Sequence, residues 1–438
     1  MSASWKSSST ELKRIEKMNK VSSLHLFQAF GIELEYMIVD IETLDVKPIA
    51  DQVFKSLTGE YVGEMNFGNV TWSNELALHV LELKCAQPTQ DLVQLAQDFH
   101  EAVKQMNECL TGFNARLMPS AAHPWMDPET ESFRWSHDSG DIYAAYDRIF
   151  NCKGHGWSNL QSTHINLPFC GDDEFAQLHA AIRLILPLLP ALSASSPIIG
   201  GQSTGYLDKR LDFYQNNQKL IPSLTGQVIP EAVFSKSTYR KYIYSQIEQD
   251  IAPYDHDGIL DPVWLNSRGA IARFDRGAIE IRIIDIQESP SADLAIANLV
   301  IAFLQMLVEE KIMTTEAQQD FKTEDLYSIF NNVIRHGEHA VLLNKSYLKA
   351  FGFNQTEEVK ASDFWKVMYH KLKDLYPERL GPWESQIQMI LEQGSLASRV
   401  LASVNKNYDH SNLKMVYREL TDCLENNEMF DPCLEGVF

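Results

Sequence analysis

Glu33 and Glu35, in Gly31-Ile-Glu-Leu-Glu35-Tyr36, stand two residues apart in a stretch that alternates apolar and polar side chains. In a strand such a pair shares one face, while Ile32 and Leu34 enter the opposite layer. Two like charges side by side repel unless a cation lies between them. Paired carboxylates are the oxygen ligands that Mg²⁺ takes, with waters and substrate phosphates completing its shell. A solvated face of an edge strand explains the same spacing. Glu75 and Glu82 form a second acidic pair, seven residues apart. That gap suits one face of a helix, or a strand that carries a bulge. Glu82 sits in an apolar run (Val80, Leu81, Leu83), so burial of that run requires a partner for its charge.

His164 and Asn166, in Ser162-Thr-His-Ile-Asn166, again share a strand face. Imidazole can join carboxylates in a mixed nitrogen–oxygen metal shell, although a structural hydrogen-bonding histidine fits as well. His123, in Ala-Ala-His-Pro-Trp, reads as structural. In Ala278-Ile-Glu280-Ile-Arg282-Ile-Ile-Asp285, Glu280 and Arg282 share a face, with isoleucines on the other. Arginine always carries its charge and grips phosphate or carboxylate through two parallel hydrogen bonds, and a neighbouring glutamate can hold the metal that bridges that phosphate. A cross-strand ion pair accounts for one Glu and one Arg. It accounts less well for Arg273, Arg276 and Arg282 within ten residues of an acidic chain.

The elements that must position these residues follow from periodicity. Residues 28–40, 162–169 and 278–286 alternate as strands do, whereas 92–110 has helical apolar spacing. Residues 178–192 read as a buried helix that Pro187 and Pro190 interrupt or end. Beyond Ser291 the texture turns helical, over 293–310, 324–343, 364–375, 384–404 and 413–424. The division expected is a polar, flexible leader at 1–23, a catalytic α+β region at 24–300 and a helical C-terminal region at 301–438 packed on it.

The composition sets limits on function. Of 438 residues, 45% are hydrophobic and 22% charged, which suits a globular chain rather than a disordered one. A net charge of −21 repels a phosphate backbone, so nucleic acid is not an expected partner. The most apolar stretch noted, 180–199, contains Arg183, Pro187 and Pro190 and does not read as a membrane span. Cys85, Cys109, Cys152, Cys170, Cys423 and Cys433 lack paired spacing and read as reduced thiols in the cytoplasm.

Five stretches, in order, resemble the glutamate–cysteine ligase family, the carboxylate–amine ligases within the glutamine synthetase superfamily. They are Gly31 to Glu35, Glu75 to Glu82, Gln161 to Asn166, Ala191-Leu-Ser-Ala-Ser-Ser-Pro197 with Gly205 and Arg210, and Ala278 to Asp285. The resemblance implies a glutamine synthetase-like fold, an antiparallel sheet curved into a half-barrel, with outer helices and a helical C-terminal region. It implies metal ligation by Glu33, Glu35, Glu75, Glu82, His164 and Glu280. It also implies a catalytic Arg282 facing the transferred phosphate with Glu280, and substrate or ATP contacts from Arg210, Arg273, Arg276 and Asn166. Two departures stand out: Leu78 occupies a place that is often acidic in relatives, and Arg268, Arg273 and Arg276 are spaced unusually.

The activity so implied is ATP-dependent, with Mg²⁺ (or Mn²⁺), L-glutamate as the acid and L-cysteine as the amine. Another amine is the alternative within the class, and a homo-oligomer is possible in principle for such an enzyme. An inactive binding protein of the same fold and a metallohydrolase are the readings outside it. The first would have lost site residues that are all present here, and the second leaves the arginine-rich segment unexplained.

Overall fold

The computed structural model describes residues 24–354 and 358–432. The leader expected at 1–23 and Cys433 lie outside the described residues. An open, antiparallel eight-stranded sheet runs in the order β2-β3-β4-β1-β6-β10-β9, with β5 also pairing with β1. Its strands are β1 (Gly31–Asp40), β2 (Glu64–Phe67), β3 (Val70–Asn74), β4 (Val80–Cys85), β5 (Ala115–Met118), β6 (Ser162–Pro168), β9 (Ala270–Arg273) and β10 (Ala278–Asp285). The short strands β7 (Ile198–Ile199) and β8 (Gln202–Ser203) pair separately.

β1 is the centre of the sheet. One edge pairs with β4 over Glu33 to Met37. The other edge is shared: Gly31 to Leu34 pair with β6, and Met37 to Asp40 pair with β5. Between those two runs the sheet forks. Ile32, Leu34 and Tyr36 are fully buried on the back of the sheet, as the alternation predicts. There they join a core with helices Leu92–Thr111, Gly171–Ile185 and Pro290–Val308. Met37 and Val39, on the front face, are covered by a second apolar cluster from helices Leu396–Val404 and His410–Asn426. The C-terminal helices therefore roof one end of the face that carries Glu33 and Glu35.

Several expected elements are redrawn. Helix Pro290–Val308 is the one described helix long and apolar enough to cross a membrane, with mean hydropathy 1.8, rather than the stretch 180–199. It is a core helix, since its neighbours bury most of it, and Ser289 caps its start with Pro290 in the first turn. Position 300 falls inside this helix, and one continuous apolar core runs to both sides of it. The helix expected at 384–404 is two, Glu384–Gln393 and Leu396–Val404. Gly394 breaks it at φ 93°, and a side chain there would collide with Glu338. The helix expected at 324–343 ends at His336 and gives way to a 3₁₀ turn at Gly337–His339.

Candidate active site

The register of four strands lays the polar residues out in rows. Glu33 on β1 stands opposite Lys84 on β4 and His164 on β6. Glu35 stands opposite Glu82, and Glu82 opposite Ser73 on β3. Asn166 lies between Gly31 and Glu280. Directly opposed residues share a face, so the register alone brings this set onto the front of the sheet. Gly31 makes room for the crossing, because a Cβ there would come 3.1 Å from the Asn166 Cβ.

Glu75 reaches the same place by another route. It follows the last residue of β3 in the connection to β4, neither on a helix nor in a bulged strand. The hairpin turns it back over Glu82, which resolves the seven-residue gap. Leu78 lies in the same connection, and its side chain packs against the core. Two overlapping triads result, Glu33–Glu82–His164 and Glu35–Glu75–Glu82, each with its ligand atoms within 4.8 Å of one another.

Hydrogen bonds fix the side chains. His164 Nδ1 pairs with Glu33 Oε2 at 2.9 Å, and its Nε2 lies 2.9 Å from Ser162 Oγ. Asn166 donates to Glu33 Oε1 at 3.1 Å. The Ser162 amide and hydroxyl both donate to Glu35, at 2.7 and 3.1 Å. That amide is free to do so because β1 forks at Glu35. Ser73 and Lys84 hold Glu82 Oε2, at 2.6 and 3.0 Å.

Burial works against the Glu33 charge, yet the His164 bond and the charges of His164, Lys84 and Arg282 hold its carboxyl at about 2. Burial also opposes the His164 charge, but the Glu33 bond and Glu35 push it to about 9. Burial and then Glu33 push Glu82 up to about 6. Burial, Glu82 and Glu35 drive Glu75 well above the usual carboxylate range. Two charges are settled here and two are frustrated for want of more positive charge. Hard oxygen donors with one imidazole, converging at ligand spacing, fit a divalent ion of the Mg²⁺ type.

The arginines divide. Arg282 Nη2 lies 3.1 Å from Glu280 Oε1, and Arg273 Nη1 lies 3.7 Å from Glu280 Oε2. Glu280 is thus paired with guanidinium groups and belongs to neither triad. A register shift between Ile281 and Ile284 places a bulge at Arg282, the kind of irregularity that re-aims a side chain. Arg276 sits on the β9–β10 turn, exposed beside Asp275 and away from the cluster. Arg210 is buried: it bonds Asp285 at 3.2 Å and the Arg282 carbonyl at 2.9 Å. With its charge so committed, it stands behind the site as a support. Ser195 and Ser196 bond the same Asp285, so the Ser-Ser-Pro segment anchors the end of β10. Arg268 is likewise held by Glu231, at 2.5 and 2.6 Å. His123 is structural, with Nε2 on the Leu44 carbonyl.

Residues 29–349 match the sequence profile of glutamate–cysteine ligase family 2. The chain belongs to that family. A protein from Archaeoglobus fulgidus, whose name assigns it no activity, is 32% identical over 403 residues, or 91% of this chain and 99% of the relative. Among solved structures, a glutamate–cysteine ligase from Francisella tularensis in complex with AMP superposes with TM-score 0.54 at 12% identity, covering 90% of this chain and 88% of the other. A bifunctional glutathione synthetase from Pasteurella multocida superposes with TM-score 0.55 at 12% identity, covering 93% and 53%. At such identities the likeness establishes the fold. This family-2 chain thus has the mixed, open-sheet ligase architecture, with its acidic face at the centre.

Lys84, Ser73 and Ser162 are the cluster residues that motif reasoning passed over. Lys84 was within reach, since it lies two residues past Glu82 in the same alternating strand. Ser73 and Ser162 required the pairing register.

Proposed function

We propose that this chain is an ATP-dependent carboxylate–amine ligase that phosphorylates the γ-carboxyl of L-glutamate and joins it to an amine, L-cysteine first. A different amine is the alternative. The observation that carries the reading is two overlapping ligand triads on one sheet face with Arg282 alongside. Mg²⁺ (or Mn²⁺) held by Glu33, Glu82 and His164, and by Glu35, Glu75 and Glu82, would neutralise charge on the ATP phosphates.

The chemistry then follows in two transfers. A glutamate carboxylate oxygen attacks the γ-phosphorus and the bond to ADP breaks, leaving an acyl phosphate. Arg282, held in place by Glu280, is aimed at the charge that spreads over the transferring group. The amine nitrogen next attacks the acyl carbon, phosphate departs, and the amine proton passes to a carboxylate or to the released phosphate. Asn166 and Lys84 hold Glu33 and Glu82 in position throughout. The described cysteines form no disulfide, which suits a reducing compartment such as the cytoplasm.

The test is ADP release by purified protein given Mg²⁺, ATP, L-glutamate and a panel of amines. Release that requires both glutamate and one amine supports the reading. ATP turnover indifferent to every acid and amine rejects it.

A further inference from the structure

Thr163 stands opposite Leu34, so its side chain enters the back of the sheet, between two residues that face the front. Those neighbours are Ser162, which holds Glu35, and His164, which bonds Glu33. The ladder around them is interrupted on both sides. Pairing of β6 with β1 ends at Thr163, just before β1 forks. On the β10 side, Arg282 and Ile283 together oppose His164, between the pairs Ile281–Ile165 and Ile284–Thr163. A bulge breaks the run of ladder bonds, so backbone pairing by itself holds the register of His164 against Arg282 only loosely.

A tie on the far side of the sheet supplies what the ladder lacks. Asp293, in the first turn of helix Pro290–Val308, is fully buried. Its Oδ1 accepts from the Thr163 hydroxyl at 2.5 Å and from the Gln287 amide, just past the end of β10, at 3.0 Å. One oxygen thus staples β6 to the chain leaving β10, across the bulge, and fastens both to a helix of the back core. Among the described residues its Oδ2 has no hydrogen-bond partner. A buried carboxyl with one oxygen unmatched costs free energy, which the start of a helix offsets only in part. Filling the space behind β6 would need no acid at all. The value of Asp293 lies in the two strands it joins.

We propose that Asp293 is a positioning residue of the ligase: acting from behind through Thr163 and the Gln287 amide, it fixes the β6–β10 bulge and so sets His164 for the metal and Arg282 for the transferring phosphoryl group. It touches neither substrate nor metal itself. The inference rests on the ligase reading above and deepens it by naming what holds the two halves of the site in register.

The test uses the full chain and three variants. Thr163→Val removes the hydroxyl and keeps the shape, Thr163→Ser keeps the hydroxyl, and Asp293→Asn keeps an acceptor oxygen. Binding of Mn²⁺ alone is followed by the electron paramagnetic resonance signal of the free ion, at a temperature where each protein is fully folded. Tm and the kcat of ADP release are measured beside it. Thr163→Val should bind Mn²⁺ about ten- to a hundredfold more weakly, with Thr163→Ser and Asp293→Asn within about threefold of the wild type. Its kcat at saturating metal should fall by about tenfold or more. Wild-type Mn²⁺ affinity in Thr163→Val, with only Tm lowered, overturns the proposal, because the bond then serves stability alone. Equal weakening in Thr163→Ser and Thr163→Val overturns it too, since the hydroxyl is then not the agent. Should Thr163→Val fail to fold, Thr163→Cys, a weaker donor of similar size, takes its place, and Mn²⁺ affinity equal to that of Thr163→Ser overturns the proposal. A wild type that binds Mn²⁺ but releases no ADP rejects the ligase reading alone, and the Mn²⁺ affinities still judge Asp293. A wild type that binds no Mn²⁺ overturns the proposal.

Discussion

Glu82 belongs to both triads, and burial with Glu33 beside it lifts its carboxyl to about 6. Its charge is therefore a cost to the folded apoprotein and an asset only when a cation arrives. Glu82→Gln should melt, without Mg²⁺, at or above the wild-type temperature, and should lose any Mg²⁺-dependent rise in Tm. Its ligation rate should fall by roughly a hundredfold or more, since outer-shell changes at metal sites alone cost about ten- to a hundredfold. Differential scanning calorimetry with and without Mg²⁺ checks the first half and ADP release the second. Arg282→Lys exchanges a two-pronged donor for a point charge. Its kcat should drop by about a hundred- to a thousandfold with ATP affinity nearly unchanged; a loss confined to ATP affinity would reassign the arginine. Much of this chemistry was readable from residue type and spacing. Glu33, Glu35, Glu82 and His164 converge as strand alternation and the family resemblance implied. Arg210 shows the limit of such reading: an arginine after a Ser-Pro turn looks like a phosphate ligand until Asp285, 75 residues away, is seen to hold it.

At the scale of elements, the front of the sheet is organised by pairing rather than by any one strand. Which strands flank β1 could not be inferred from periodicity, which gives faces but not neighbours. Glu75 was ambiguous for a related reason, because a hairpin connection lies outside both the helical and the strand period. The end of β10 depends on Arg210, Ser195 and Ser196 converging on Asp285. Arg210→Met removes one partner of a buried pair and leaves the other charge stranded. Urea unfolding should show a loss of about 3–5 kcal/mol. The double variant with Asp285→Asn should recover part of it. The fraction still folded should bind ATP as the wild type does, because the Arg210 guanidinium is committed to Asp285 and to the Arg282 carbonyl.

Across the whole molecule, buried neutral histidines set the response to acid. Burial lowers His79 and His123 to about 4 and His179 to about 3. His123 has its tautomer dictated, with Nδ1 accepting from the Met126 amide at 3.0 Å and Nε2 on the Leu44 carbonyl at 2.8 Å. Between pH 6.5 and 4 the unfolded chain binds a proton there that the folded chain refuses, so stability rises with pH in that window. The His123 contribution is complete above pH 6.5 and falls away toward pH 4, an effect of the order of 3 kcal/mol. Urea midpoints at pH 7.5, 6 and 5 should decline in that order, and His123→Gln should flatten the decline. The back core is built round one apolar helix, Pro290–Val308, which packs on helices Leu92–Thr111 and Gly171–Ile185 and on Ala361–Leu375 and Glu384–Gln393, a convergence that residue composition alone could not show. The roof is also tied to the sheet by a buried link: Arg399 pairs with Glu288 at 2.5 Å, and Phe430 gives its carbonyl to the same arginine and its amide to the same glutamate. Glu288 leaves the ribosome 111 residues before Arg399. At about 5–20 residues per second, that is roughly five to twenty seconds of synthesis in which the nascent chain holds an acidic group with its appointed cation still unmade. Docking of the C-terminal roof therefore comes late in synthesis, and slow or interrupted elongation over the C-terminal third should yield aggregation-prone chains.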